Sequence, residues 1–254
     1  MQIGIQTNAW TDEAHRRDLP GVLDGIAATG YTGLEIGSHR VDLDRPAALR
    51  EPAERRGLTV VGVHVGGELW NPAALPDVEA RVTRVAAYAA AVGATFVPVS
   101  GGRKAEHTAE DYANDAKALD RLGTVCADHG LRLAYHNHDW EITGGCAGLR
   151  AICERTDPRL VSLALDVGWV AKAGEDPAQT VSAFLGRVGY LHVKDTLDDW
   201  FTDLGRGTAN LGPLGAFLRD HWDGWLVVER DKAMDHPLES AAVSREYLRA
   251  RWGL

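Results

Sequence analysis

Short apolar runs alternate with longer amphipathic segments along the whole 254-residue chain. The short runs predict eight strands, at residues 3–7, 33–36, 59–65, 95–99, 132–136, 161–166, 190–194 and 226–229. The segments between them have helical spacing, as in residues 77–92, where Val78, Val82, Val85 and Ala89 recur on one face. Several strands, such as VVGV and LVSLAL, are apolar on both faces, which is typical of a parallel sheet covered by helices.

Glycines are expected to end the predicted helices. Each stands just before or at the start of a strand, where a helix C-cap glycine belongs: Gly30, Gly57, Gly93, Gly130 and Gly189. Eight βα units in about 250 residues close into a barrel more readily than into an open sheet. No linker or low-complexity stretch interrupts the series. The pattern therefore predicts an α/β fold, a single-domain (β/α)8 TIM barrel spanning residues 1–254.

Composition and charge narrow the expected partners. Hydrophobic residues make up 45% of the chain and the net charge is −9, which disfavours a nucleic-acid-binding face, because such a face needs a basic patch. The N-terminus lacks the pattern of a signal peptide, and no run of about 18 apolar residues occurs. Cys126, Cys146 and Cys153 form no CxxC, which indicates a reducing compartment. We expect a cytoplasmic protein with no nucleic-acid or membrane partner, and a homo-oligomer remains open.

Imidazole and carboxylate groups are concentrated at the predicted C-terminal strand ends, where barrel enzymes build their sites. In chain order these ends carry Asn8 and Trp10, Glu35, His64, Ser100, His136 and His138, Asp166, His192 with Lys194, and Glu229. Such nitrogen and oxygen donors bind Mn²⁺, Zn²⁺ or Co²⁺. Because the strand ends converge on one ring, side chains far apart in sequence can share an ion. The pattern predicts one divalent metal ion at this mouth.

Each candidate ligand also has a purely structural interpretation. Asp166 ends an apolar strand, where a lone buried carboxylate is costly unless it is paired or coordinated, which favours a ligand over the alternative of a cap on the next helix. His192 alternates with Lys194 and so faces the lumen, as a ligand or as a satisfied core histidine. Glu229 could be a ligand or the salt-bridge partner of Lys194. The three together favour a metal.

The segment YHNHDWE is the densest cluster of candidates. If the strand continues that far, His136 and His138 share one face, so both could bind one ion, or one could bind it while the other serves as acid or base. A polar loop with incidental histidines is the alternative. Glu35 could orient a ligand, bind a sugar hydroxyl or line the barrel in an ion pair, and His64 could contact substrate.

Several tryptophans and a glycine-rich loop follow predicted strands and could border a substrate at the barrel mouth. The tryptophans that follow predicted strands could stack on a sugar or simply plug the barrel top: Trp10, Trp70, Trp140 and Trp169. The loop LGRGTANLG follows the seventh strand, where barrels often hold phosphate, and Arg206 would supply charge. A flexible lid is an equally good interpretation.

The segments YTGLEIG, LAYHNHDWE, LDVGW, YLHVKD, LGRG and WLVVERD together resemble the xylose isomerase-like TIM barrels, and the resemblance covers essentially the whole chain. This family includes sugar (phosphate) isomerases and epimerases, inosose dehydratases and 3-dehydroshikimate dehydratases. The resemblance implies one divalent ion, Mn²⁺ before Mg²⁺, Co²⁺ or Zn²⁺, with ligands from strands five to eight: His136, Asp166, His192 and Glu229.

Roles for further residues also follow from the resemblance. It implies catalytic roles for His138, Glu229 and Lys194, and the candidates for substrate binding are Glu35, His64, Trp10, Trp169 and Arg206. The chain departs from the usual pattern at His136, where a glutamate is common, and at Trp169, where a histidine is common. Arg206 replaces the glutamate of a Gly-Glu-Gly loop.

The expected reaction is isomerisation or epimerisation of a small polyhydroxy carbonyl substrate, a sugar or cyclitol. A metal would act as Lewis acid while His138 or Glu229 removes a proton beside the carbonyl, giving an enediolate. Loss of a β-hydroxyl would instead make an inosose dehydratase-type lyase, and His136 weakens a two-carboxylate epimerisation scheme. An endonuclease IV-like nuclease, which needs three zinc ions and a DNA-binding surface, and a non-enzymatic sugar-binding barrel are the remaining alternatives.

Overall fold

Eight parallel strands pair in chain order and close into a barrel in the computed structural model, which describes all residues from Met1 to Leu254. The chain contains ten strands: β1 (Gln2–Gln6), β2 (Gly33–Gly37), β3 (Thr59–Gly67), β4 (Phe96–Gly101), β5 (Arg132–His136), β6 (Val161–Asp166), β7 (Val188–Val193), β8 (Asp195–Leu197), β9 (Trp200–Thr202) and β10 (Trp225–Val228). Strand β10 closes the barrel between β7 and β1, while β8 and β9 form a separate antiparallel hairpin. The predicted (β/α)8 barrel is confirmed.

Helices follow the barrel strands and cover the outside of the sheet. They are α1 (Asp12–Ala28), α2 (Ala47–Glu54), α3 (Leu75–Ala91), α4 (Ala109–Asp128), α5 (Asp139–Arg155), α6 (Val167–Lys172), α7 (Pro177–Phe184), α8 (Leu211–His221) and α9 (Pro237–Tyr247). None of them is long and apolar enough to cross a membrane. The main hydrophobic core lies between sheet and helices, and a smaller cluster that includes Phe96, Tyr190 and Trp225 fills the barrel interior.

Two register shifts determine which side chains face the lumen. Between β2 and β3 the pairing moves from Leu34 opposite Val60 to Glu35 opposite Gly62. Between β6 and β7 it moves from Leu163 opposite Val188 to Ala164 opposite Tyr190. An extra residue in one strand changes which later side chains point inward. The extra residue in β7 immediately precedes Tyr190, whose hydroxyl donates a hydrogen bond to Glu35 in a buried network at the mouth.

The helix-ending glycines are mostly as predicted. Gly30, Gly57, Gly93 and Gly130 have φ between 67° and 85° and follow α1 to α4. The prediction for Gly189 is wrong, because this residue lies inside β7 at the register shift rather than at a helix end. An added Cβ there would lie 2.6 Å from Ser162 Oγ, so close packing requires this glycine.

Candidate metal centre

Four buried side chains converge at the C-terminal ends of β5, β6, β7 and β10. His136, Asp166, His192 and Glu229 each offer one ligand atom, and these atoms all lie within 4.8 Å of one another. Two imidazole nitrogens and two carboxylate oxygens are donors that Mn²⁺, Co²⁺ and Zn²⁺ accept. The residues therefore fit a divalent ion, and His136 rather than His138 belongs to the set.

Asp166 uses its two carboxylate oxygens differently. Oδ1 accepts hydrogen bonds from the backbone N–H groups of Gly168 at 2.9 Å and Trp169 at 3.0 Å, and so caps α6. Oδ2 faces the ligand cluster, 3.1 Å from His136 Nε2. The capping and metal-ligand interpretations are thus compatible, because each needs a different oxygen.

The charges inside the cluster compensate one another. Burial alone would raise the pKa of Asp166 and of Glu229, but the Lys194 ammonium and the neighbouring imidazoles hold both pKa values well below their usual range. Burial alone would lower the pKa of His192, yet the carboxylates of Glu35 and Glu229 hold that pKa well above its usual value. The carboxylates are therefore ionised and ready to bind a cation.

Glu35 lies behind His192 and orients it. Its Oε2 is 2.8 Å from His192 Nε2 and accepts a hydrogen bond from the Tyr190 hydroxyl at 2.5 Å, and its Oε1 is 3.2 Å from His64 Nδ1. The side chain is completely buried. With its Nε2 proton held by Glu35, His192 would bind an ion through Nδ1, which lies 2.7 Å from Glu229 Oε2 and would have to lose its own proton first. These contacts favour the orienting role over a contact with a substrate hydroxyl.

Lys194 places a completely buried ammonium against three carboxylates. Its Nζ is 2.9 Å from Asp166 Oδ2, 2.8 Å from Glu229 Oε2, and 2.9 and 3.1 Å from the two oxygens of Asp231. Burial alone would lower the pKa of Lys194, but these carboxylates hold it well above the usual value. Sequence reasoning missed Asp231, although WLVVERD places it two residues beyond a candidate ligand.

His138 lies at the barrel mouth, but it precedes helix α5 rather than continuing strand β5. Strand β5 ends at His136, so the two histidines do not alternate along a strand, and His138 precedes the first turn of α5. Its ring is nevertheless 5.1 Å from that of His136 and stacks on Trp140 at 4.2 Å. Burial, followed by the charges of His136 and Lys194, lowers the pKa of His138 well below its usual value. Its Nδ1 is enclosed in the protein, so Nε2 is the nitrogen through which this neutral imidazole could accept a proton from a bound molecule.

Two cavities flank the cluster. One of about 520 Å³ is lined by residues that include Asn8, His64 and Arg81, and Asn8 donates a hydrogen bond of 2.9 Å to Glu229 Oε1. The other, of about 480 Å³, is lined by residues that include Arg206 and Asp231. His64 thus borders the first cavity and Arg206 the second.

The glycine-rich loop is held by hydrogen bonds to Asp195, the first residue of β8. The Asp195 carboxylate accepts hydrogen bonds from the backbone N–H groups of Gly205, Gly207 and Ala209 at 3.0 to 3.1 Å. These groups are therefore not free to hold a phosphate, and the contacts also argue against a flexible lid. The backbone of this loop therefore does not supply a phosphate site, and substrate binding by Arg206 stays a prediction.

The tryptophans divide between the mouth and the core. Trp169 is 5.3 Å from the His138 ring and lies 5.5 Å from Lys194 Nζ. Trp140 carries the stacked His138 ring. Trp10, by contrast, is 5% exposed and belongs to the main hydrophobic core. Substrate binding by Trp10 stays a prediction, and Trp10 makes no contact with the ligand cluster.

Comparison with known proteins places the barrel in a family. A family model described as xylose isomerase-like TIM barrel matches residues 23–251. The chain belongs to this family. It is 25% identical to an inosose dehydratase of Geobacillus kaustophilus over 98% of this chain and 94% of the relative.

Solved structures of other proteins superimpose on nearly the whole chain. A sugar phosphate isomerase/epimerase from Parabacteroides distasonis matches with a TM-score of 0.82 and 22% identity, over 98% of this chain and 93% of the other. A 3-keto-D-glucoside 4-epimerase from E. coli matches with a TM-score of 0.82 and 19% identity, over 98% and 99%. At these identities the structural likeness establishes the fold.

Proposed function

We propose that this xylose isomerase-like barrel is a divalent-metal-dependent sugar or cyclitol isomerase or epimerase that moves a proton next to a carbonyl group. The observation that carries the proposal is the position of His138, a neutral imidazole whose ring lies 5.1 Å from that of His136 at the edge of a four-ligand cluster. Names of relatives and structural neighbours refer to inosose, sugar phosphate and keto-glucoside chemistry, which supports a polyhydroxy carbonyl substrate.

In this proposal the protein side chains divide the work of proton transfer. His136, Asp166, His192 and Glu229 would hold Mn²⁺ or a similar ion, which when bound supplies a Lewis acid for a substrate carbonyl oxygen. His138, a neutral imidazole beside the cluster, accepts the proton from the carbon beside that carbonyl. Return of the proton to the neighbouring carbon gives isomerisation, whereas protonation of the same carbon by a second acid on the opposite face gives epimerisation.

Lys194 supplies the complementary positive charge. Its ammonium is buried beside Trp169 and Phe201, at 5.5 and 4.5 Å from their rings, so water has little access to it. A hydrogen bond from this ammonium to a substrate oxygen would stabilise the negative charge that develops there during proton removal. The aromatic side chains around it would keep that bond in a medium of low dielectric constant.

A dehydratase is the second candidate, favoured by the placement of Lys194 and His138. Both side chains lie against Trp169: Lys194 Nζ is 5.5 Å from the centre of the indole ring, and the His138 ring is 5.3 Å from it. Elimination of water needs a base at one carbon and an acid at the hydroxyl of the next, and a neutral imidazole beside an ammonium provides both. The inosose dehydratase relative is consistent with this reaction.

Hydrogen exchange in D₂O tests the proposed proton abstraction before the product is known. The Mn²⁺-loaded protein is incubated with a panel of ketoses, aldoses, keto-glucosides and inososes, and the substrates are followed by NMR. We expect deuterium at the carbon beside the carbonyl, and the product identifies isomerase, epimerase or dehydratase. His138→Gln should slow the exchange by roughly 10²-fold or more, whereas His221→Gln, on the exposed end of α8, should not. Unchanged exchange in His138→Gln would contradict the role given to this base.

Elemental analysis tests the ligand set separately. Asp166→Ala and His192→Ala each remove one of the four donors, so the purified variants should lose most of their bound metal. Thermal unfolding in the presence of chelator shows whether the variants are folded. Full metal occupancy in both variants would rule out this centre.

A further inference from the structure

Lys194 and the candidate ligands share two oxygen atoms. Asp166 Oδ2 is 3.1 Å from His136 Nε2 and also 2.9 Å from Lys194 Nζ. Glu229 Oε2 is 2.7 Å from His192 Nδ1 and also 2.8 Å from Lys194 Nζ. An ion bound through these oxygens therefore competes with the lysine ammonium for the same lone pairs.

The ammonium cannot leave the site for water. Lys194 is completely buried, packed under the rings of Trp169 and Phe201, and a buried charge without a partner is strongly unfavourable. If Asp166 and Glu229 were its only carboxylate partners, a metal ion could bind only by leaving a like charge unpaired beside it. Buried like charges a few ångströms apart repel each other strongly.

Asp231 gives the ammonium a partner that is not a candidate ligand. Both of its carboxylate oxygens contact Lys194 Nζ, at 2.9 and 3.1 Å, and its side chain is only 19% exposed. The residue lies in the loop after β10, beside the cavity of about 480 Å³. It is therefore available to hold the lysine whether or not Asp166 and Glu229 bind an ion.

We propose that Asp231 is a positioning residue that retains Lys194 so that the lysine and a divalent ion can occupy the centre together. This inference rests on the proposed metal-dependent function. Asp231 holds the ammonium by a two-oxygen contact, and the shared oxygens of Asp166 and Glu229 become available to the ion. Without Asp231, the ammonium depends on those two oxygens and opposes metal binding. The effect of Asp231 on the metal thus acts through Lys194.

A double-mutant cycle on metal affinity tests this coupling without any substrate. Chelator-stripped protein is titrated with Mn²⁺ by calorimetry for the wild type, Asp231→Asn, Lys194→Met and the double variant. We expect Asp231→Asn to weaken Mn²⁺ binding by about tenfold in the presence of Lys194 and by less than about threefold in the Lys194→Met background. Asp235→Asn, an exposed acid of the same loop, should have little effect in either background.

The outcomes separate this inference from the metal site itself. Equal weakening by Asp231→Asn in both backgrounds would mean that Asp231 acts only through its own charge, and no weakening in either would mean that it does not relieve competition; each overturns the inference while the metal site stands. If the folded wild type binds no Mn²⁺, Co²⁺, Zn²⁺ or Mg²⁺, the inference and the metal-dependent function fall together. Thermal unfolding of each variant confirms that the titrated protein is folded.

Discussion

Three buried carboxylates at the barrel mouth differ in role because their neighbours differ. Asp166 has one oxygen engaged by backbone N–H groups and the other turned to the cluster, and Glu229 accepts from Asn8 while facing His192. Glu35 instead has side chains at both oxygens, Tyr190 and His192 at Oε2 and His64 at Oε1. The first two can bind an ion directly, whereas Glu35 acts on it through His192.

Glu35→Gln should weaken metal binding without removing a ligand. The neutral amide holds the proton on His192 Nε2 less strongly than the carboxylate does, so Nδ1 becomes a poorer donor. Loss of such an orienting carboxylate costs about 10- to 100-fold in metal affinity, and we expect the lower end because the amide oxygen can still accept a hydrogen bond. Calorimetric titration with Mn²⁺ measures the change, with the exposed Glu239→Gln as control. An unchanged dissociation constant would remove Glu35 from the metal centre.

Residue identity at a strand end was enough to predict which side chains cluster at the mouth but not their supporting contacts. Asp166, His192 and Glu229 stand at or next to the ends of apolar strands, where position along the strand determines which face they share. Asp231 escaped notice because it lies in a loop, whose conformation no periodicity describes. The contact of Glu35 with Tyr190 joins residues 155 positions apart and depends on barrel closure.

At the scale of elements, the junction between β6 and α6 joins capping, packing and the candidate site. Asp166 ends the strand and caps the helix, and Gly168 lies in the first turn. A Cβ added at Gly168 would lie 1.9 Å from Lys194 Cγ. The lysine stem therefore passes directly over this glycine, and the helix must present no side chain there.

Gly168→Ala should destabilise the protein and displace Lys194. The clash involves the buried stem of the lysine rather than a free end, so the cost should approach that of overpacking a core, about 1–3 kcal/mol. Gly212→Ala is the matched control, because Gly212 occupies the same second position in α8 and an added Cβ meets nothing within 4 Å. Urea unfolding measures both variants. Equal stability of the two variants would show that the lysine stem yields without cost.

Sequence periodicity predicted the long elements well and the short ones poorly. All eight barrel strands overlap their predicted ranges, because each buries an apolar run. The hairpin of β8 and β9 was missed, since its strands have three residues each and are ordered by contacts with the irregular loop that follows them. Asp195, for example, begins β8 and accepts hydrogen bonds from Gly205, Gly207 and Ala209 in the glycine-rich loop. Such a local network leaves no periodic signal.

At the scale of the whole molecule, buried acids fall into two groups with opposite proton affinities. Those in the lumen are kept ionised by Lys194 and the histidines. A second group lies outside the barrel, where Asp115 of α4 and Glu141 of α5 are 1% exposed. Burial raises the pKa of Glu141 to about 7, although a hydrogen bond of 2.6 Å from the Tyr135 hydroxyl opposes the shift. No cation comparable to Lys194 contacts this pair, so ionisation there opposes folding.

Asp115→Asn should stabilise the protein increasingly as the pH rises. Burial, followed by the charges of Glu141 and Asp111, raises the pKa of Asp115 from an ordinary 3.8 to about 8. The folded state therefore holds this proton more tightly than the unfolded state, and the stability it contributes is full below pH 3.8 and is lost as the pH rises toward 8. Asparagine cannot ionise and avoids that loss, so the melting-temperature advantage of the variant should grow by roughly 10 °C between pH 5 and pH 8.5. Asp128→Asn, on the exposed end of the same helix, should show a constant difference across this range. A constant difference for Asp115→Asn as well would mean that Asp115 ionises in the folded protein as readily as in the unfolded chain.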